Sequence, residues 1–145
     1  MLEVADLTVG FPTDDGLVQA VRGVSYQLRR GEVLGIVGES GSGKSVTSMA
    51  VMGLLPRTAR VSGSVRFGGR ELLDAPDSTL TKIRGRRIAM IFQDPMTSLN
   101  PVYTVGYQIA EAVRAHNEVS KEAALKRAAE LLEIVRIPHA KARLD

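Results

Sequence analysis

Eight consecutive residues carry the chemistry that can be read most directly from this chain: Gly38-Glu39-Ser40-Gly41-Ser42-Gly43-Lys44-Ser45. They satisfy the phosphate-loop pattern of a glycine, four free positions, then Gly-Lys-Ser/Thr. The glycines allow a tight turn that brings backbone N–H groups against phosphate oxygens. Lys44 places a point positive charge within reach of the outer phosphates, and the Ser45 hydroxyl can complete the shell of a Mg²⁺ that bridges them. A helix starting here turns its positive end to the same anion. The phosphate-contacting set runs from Gly38 through Val46, with Glu39 and Ser42 shaping the loop. A glycine turn that binds nothing is the competing reading, but such a turn has no need of a Lys-Ser pair.

Two elements must position this loop. The apolar run 33–37 ends on it and has the composition of a buried parallel strand. After Ser45, the spacing of Val46, Met49, Ala50, Gly53 and Leu54 predicts a helix that Pro56 stops. Residues 87–92 read as a second buried strand, closed by Gln93-Asp94-Pro95. Around these, residues 2–11 and 19–28 predict an antiparallel pair joined by the turn residues 12–16, and residues 61–67 a further strand. Pro76 argues against a regular element over 72–80, and 81–85 allows one helical turn. Thr104 and Ser120 are expected N-caps. The second of these helices should bury Ala124, Ala128, Leu131, Leu132 and Val135, with Glu122 pairing to Lys126. The fold class is α/β: a P-loop nucleotide-binding core with an N-terminal antiparallel β-layer over 1–103, then the start of a helical subdomain over 104–145. As read, the core is incomplete, because only two strands of the parallel kind are present.

Length and composition exclude several classes. With 145 residues, 44% hydrophobic and 24% charged, the chain resembles a soluble globular domain with a sizeable core. A net charge of +3 does not call for nucleic acid. The short basic cluster Lys82, Arg84, Arg86 and Arg87 lacks interleaved aromatics and reads as a solvated edge. There are no cysteines, and the two histidines, His116 and His139, have no partner at ligand spacing. The residues suggest neither a membrane span nor a signal peptide, so the expected location is cytoplasmic.

Three stretches carry a family resemblance: residues 35–45 through the phosphate loop, Met52-Gly53-Leu54-Leu55-Pro56, and Phe92-Gln93-Asp94-Pro95-Met96-Thr97-Ser98-Leu99-Asn100-Pro101. Together they resemble the ATP-binding subunits of ATP-binding cassette transporters, within the dipeptide/oligopeptide importer group that has nickel importers as close relatives. The likeness extends over the first half of such a subunit. The family's Leu-Ser-Gly-Gly-Gln-like signature, its apolar strand ending Asp-Glu and its switch histidine have no counterpart here.

The resemblance implies ATP and Mg²⁺ as ligands, with Lys44 and Gln93 as the catalytic residues. Gln93 would bind Mg²⁺ together with Ser45 and orient the attacking water. Phe11 would stack on adenine and Val21 would pack the base or sugar, although Phe11, like Tyr26 and Phe67, also suits ordinary packing. The implied partners are transmembrane permease subunits, a second ATP-binding subunit and, indirectly, an extracytoplasmic solute-binding protein. The implied location is the inner face of the cell membrane. Two other readings stay open: a self-contained nucleotide hydrolase or switch that uses Asp94 as its Mg²⁺ ligand, and a module that binds ATP without turning it over.

Overall fold

A computed structural model describes residues 1–94 and 98–145. Pro95, Met96 and Thr97, part of the stretch that carries the family resemblance, lie outside the described residues. The chain divides into two compact units, Met1–Ile88 and Ala89–Asp145.

The first unit is built on a four-stranded antiparallel sheet in the order β2-β1-β3-β4, made of β1 (Leu2–Thr13), β2 (Gly16–Leu28), β3 (Arg60–Phe67) and β4 (Arg70–Glu71). The expected hairpin is present, with Thr13 paired to Gly16 across a two-residue Asp14-Asp15 turn. Pure alternation would put Val4 and Leu7 on opposite faces. An irregularity between them adds the residue that brings both inside. Asp6 sits at this bulge with φ +46°, held by the Ser25 hydroxyl, which accepts from the Asp6 N–H at 2.8 Å. Leu7, Val9 and Val65 are fully buried, and Val4 and Val21 nearly so. Each contributes about 1.5–3 kcal/mol by leaving water.

Helix α1 (Lys44–Val51) adds Ala50 and Val51 to this core, and α2 (Asp77–Ile83) adds Leu80 and Ile83. The structure corrects the reading of Pro76, which precedes α2 instead of preventing it. At a helix start the missing N–H costs nothing and the fixed φ, here −61°, suits the entry.

The largest correction concerns the two apolar runs. Residues 33–37 and 87–92 form no strand. Val33 and Val37 are 95% exposed and Ile91 is 96% exposed. A parallel strand exists only through neighbours that take its N–H and C=O groups and cover both its faces. Among the described residues nothing pairs with these runs beyond one isolated bridge, Arg84 to Ile88.

The second unit is a helical hairpin of α3 (Val105–Arg114) and α4 (Lys121–Ile134), followed by a 3₁₀ turn at Ala140–Arg143. Both expected caps are present. Thr104 accepts from the Tyr107 N–H at 3.2 Å and Ser120 from the Ala123 N–H at 3.1 Å. Small side chains, Ala110, Ala124, Ala128 and Ala129, are buried in this unit. Leu131 and Leu132 are half-buried, and Val135, expected inside, is 64% exposed because α4 has already ended at Ile134. The ion pair on α4 joins Arg127 to Glu130 at 2.9 Å instead of Glu122 to Lys126.

Candidate phosphate site at the start of the first helix

Helix α1 begins at Lys44, with Gly43 as its N-cap. Gly43 has φ +90°, and a Cβ at this position would stand 2.3 Å from the Ala20 carbonyl oxygen of β2. Only glycine lets the loop press this closely on the sheet. Two polar contacts lock the first turn from inside: the Thr47 N–H and Thr47 hydroxyl both donate to the Gly43 carbonyl, at 2.8 and 2.9 Å. Thr47 is 5% exposed, a buried polar group whose hydrogen bonding is complete within the helix.

The start of α1 differs from the starts of α3 and α4. It has no side-chain cap, whereas Thr104 and Ser120 cap the other two. Helix N-termini leave N–H groups without partners inside the helix, and these carry partial positive charge. The α1 terminus therefore suits an anion supplied from outside. Lys44 is beside it, its Nζ donating to the carbonyls of Gly38 and Glu39, both at 2.7 Å, and to the Ser42 hydroxyl at 3.2 Å. The ammonium is thus folded onto loop oxygens, the same type of acceptor that a phosphate offers. The loop is further held by the Ser42 N–H donating to the Glu39 carbonyl at 3.2 Å.

A groove of about 450 Å³ adjoins the loop, lined by Val18, Ala20, Val21 and Arg22 of β2 together with Gly41 and Ser42. Val21 thus touches both the core and the groove. Phe11 faces Val18 across the hairpin ladder but packs half-buried against the core and does not line the groove. Ser45 is exposed, so its hydroxyl is free to face a ligand, and Val46 is half-buried. Among the described residues no three acidic or histidine side chains gather into a metal site. A Mg²⁺ here would depend on phosphate oxygens and on hydroxyl or amide oxygens such as that of Ser45. This donor set suits magnesium, which keeps several waters and few protein ligands.

Gln93 and Asp94 belong to the second unit and are exposed. The Asp94 carbonyl accepts from the Ser98 hydroxyl at 3.0 Å. No observation favours Asp94 as the metal ligand of a complete hydrolase, and the strand expected to present both Gln93 and Asp94 is not formed.

Sequence reasoning missed the clamp at the other end of α1. Its C-terminus closes with two backbone bonds, the Gly53 N–H to the Ala50 carbonyl (3.0 Å) and the Leu54 N–H to the Met49 carbonyl (2.9 Å). Gly53 has φ +62°, and a Cβ there would stand 2.9 Å from both Arg84 and Leu80. The Arg84 guanidinium donates to the Met52 carbonyl at 2.8 Å and to the Gly53 carbonyl at 2.6 Å, and it pairs with Asp77 at 3.0 Å. A cation thus sits at the negative end of the phosphate-loop helix. Arg87 lies over the Phe67 ring, 4.9 Å from its centroid. The basic cluster is therefore not a uniformly solvated edge. A run of arginines in the sequence cannot show which of them turns inward, since the acceptors lie some thirty residues earlier.

A glycine loop opening an uncapped helix against an antiparallel β-layer defines a nucleotide-binding cassette. The family model described as ABC transporter matches residues 21–145, and the chain belongs to that family. Over 138 residues it is 56% identical to the oligopeptide transport ATP-binding protein OppD of Mycobacterium bovis, covering 94% of this chain and 22% of that protein. It is 50% identical to OppD of Escherichia coli, covering 99% of this chain and 43% of the relative. To OppD of Bacillus subtilis it is 52% identical, covering 100% and 41%. The chain thus spans less than half the length of these curated relatives. Among solved structures, the ATP-binding cassette MJ0796, dimeric and bound to ADP and Pi, superposes with a TM-score of 0.83 at 27% identity, covering 99% of this chain and 60% of that one. The likeness to oligopeptide importer subunits inferred from the three sequence stretches is borne out, and so is the incomplete α/β P-loop fold.

Proposed function

We propose that the chain carries the phosphate-clamping part of an ATP-binding importer subunit that couples ATP hydrolysis to uptake of peptides or a related small solute. One observation carries this reading: the uncapped N-terminus of α1 beside a lysine that is already coordinated by oxygen atoms. The names of the relatives, oligopeptide transport ATP-binding proteins, supply the transport context.

In this reading residues 1–103 belong to the nucleotide core and 104–145 open the helical subdomain. Lys44 and the loop amides from Gly38 through Val46 hold the phosphates, while Val21, with Phe11 near it in the hairpin, borders the base or sugar. Ser45 and Gln93 hold Mg²⁺, which when bound neutralises charge on the transferred phosphoryl group. Gln93 orients the water. Catalysis of this type is positioning and electrostatic stabilisation. A second ATP-binding subunit completes the site.

The partner in the membrane docks on the second unit. Leu99, Val102, Tyr103 and Tyr107 are exposed, at 47, 81, 53 and 41%, and the rings of Tyr103 and Tyr107 stack with centroids 5.3 Å apart. An apolar group of this kind marks an interaction site. Its occupant in this reading is a cytoplasmic helix of a transmembrane permease subunit. Among the described residues no helix is long and apolar enough to cross a membrane. In this reading, which follows the transport role in the relatives' names, the chain sits on the cytoplasmic face of the membrane and a solute-binding protein acts only through the permease. Equilibrium binding of a fluorescent ATP analogue to the parent and to Lys44→Ala tests the core of the proposal. Loss of binding in a folded variant is expected, and equal affinity would refute it.

A further inference from the structure

Gln108 lies in the first half of α3 and turns its carboxamide back onto the segment that precedes the helix. Its Oε1 accepts from the Asn100 N–H at 2.8 Å, and its Nε2 donates to the Asn100 carbonyl and to the Tyr103 carbonyl, both at 3.0 Å. A longer contact reaches the Thr104 carbonyl at 3.5 Å. One side chain therefore bonds both backbone groups of Asn100, as a neighbouring strand would, and the Asn100 carbonyl also accepts from the Tyr103 N–H at 3.2 Å. The orientation of the amide follows from its partners: the oxygen meets an N–H and the nitrogen meets carbonyls, whereas a flipped amide would set like groups against each other. The segment is tied once more from within, where the Asn100 side chain accepts from the Val102 N–H at 3.0 Å. Capping the helix does not explain Gln108, because Thr104 already does so.

We infer that Gln108 is the positioning residue of the permease-docking loop, holding residues 100–104 in the single conformation that presents Leu99, Val102 and Tyr103. This rests on the docking reading given above. Without the carboxamide the Asn100 N–H and the Tyr103 carbonyl lose this partner, only the short-range bonds within 100–104 remain, and the loop samples more conformations. The partner must then order it on binding, which weakens association.

The test uses the full-length subunit with its permease partner in membrane vesicles and a photo-activated benzophenone side chain in place of Leu99. The parent should cross-link to the permease at both pH 7.5 and pH 5. Gln108→Ala keeps a good helix former and should cross-link about tenfold less at both pH values. Gln108→Glu sets a carboxylate against two carbonyls at pH 7.5 and should be as poor as Gln108→Ala. Toward pH 5 the carboxyl, raised by those carbonyls, takes up a proton and donates again, so its yield should recover several-fold. This recovery separates positioning from simple loss of structure. Gln108→Ala cross-linking like the parent, or Gln108→Glu matching Gln108→Ala at both pH values while the parent cross-links well, overturns the inference and leaves the docking reading intact. A parent that fails to cross-link to the permease overturns the docking reading and the inference with it.

Discussion

The Nζ of Lys44 lies 2.7 Å from the carbonyl oxygen of Gly38, so the lysine closes the loop whose first glycine opens it. The charge is half-exposed and is held by neutral carbonyls alone apart from one serine hydroxyl. A phosphate is a stronger partner for it than a carbonyl. Lys44→Ala should therefore weaken ATP binding by about 100-fold, the equivalent of a charge-assisted hydrogen bond of about 3 kcal/mol. Far-UV circular dichroism should be unchanged. Titration of nucleotide against both proteins decides the matter, and retained affinity in the variant would remove the phosphate-loop assignment.

Gly43→Ala should damage folding and binding together. The new methyl would stand 2.3 Å from the Ala20 carbonyl at φ +90°, so the loop must leave β2. The backbone conformation alone costs about 1–2 kcal/mol. A lower thermal midpoint together with lost nucleotide affinity is expected. A variant with the parent's midpoint would show that loop and sheet are not pressed together.

Arg84 should matter for stability although it lies far along the chain from the loop. Arg84→Ala leaves the Met52 and Gly53 carbonyls without the guanidinium and should cost about 2–3 kcal/mol, read from urea midpoints. Arg84→Lys should recover only part, because one ammonium cannot match a planar fork that reaches two carbonyls. Asp77→Ala should be nearly silent, since the Asp77 side chain is 83% exposed. A large loss at Asp77 with none at Arg84 would reverse the assignment.

Glu71 makes stability depend on pH. Burial pushes its carboxyl up, but the Ser64 hydroxyl and the backbone N–H groups of Val65, Leu73 and Leu72 all donate to it and hold its pKa below the ordinary value of 4.5. A lowered pKa means that the folded state binds the proton less readily than the unfolded state. The contribution is therefore present above about pH 4.5 and is lost as pH falls through the lower folded value. Between pH 7 and pH 3 the urea midpoint of the parent should fall further than that of Glu71→Gln. Parallel profiles for the two proteins would exclude a role for this carboxylate.

The 145-residue chain should show no Lys44-dependent phosphate release. Its residues supply the phosphate clamp, but the apolar runs 33–37 and 87–92 that should frame the clamp form no strand. Phosphoryl transfer depends on positioning and charge stabilisation, and loss of one stabilising group can cost about 10³-fold or more. The exposed runs should also make the chain prone to associate at its free backbone edges. Steady turnover that disappears in Lys44→Ala would overturn this expectation.

What the sequence determined by itself is local. The phosphate loop, the Asp14-Asp15 hairpin and the caps at Thr104 and Ser120 each depend on residues within a few positions of one another, so residue type and spacing suffice to read them. The tertiary structure decided whatever depends on a distant partner. The bulge at Asp6 chose which side chains of β1 share a face. The carbonyls at Met52 and Gly53 chose Arg84 from among four basic neighbours, and Asn100 took up the carboxamide of Gln108. The two apolar runs show the same rule from the other side. Val33, Val37 and Ile91 have the composition of buried strands and remain exposed, because a strand is a relation between chain segments and composition alone cannot supply the second one.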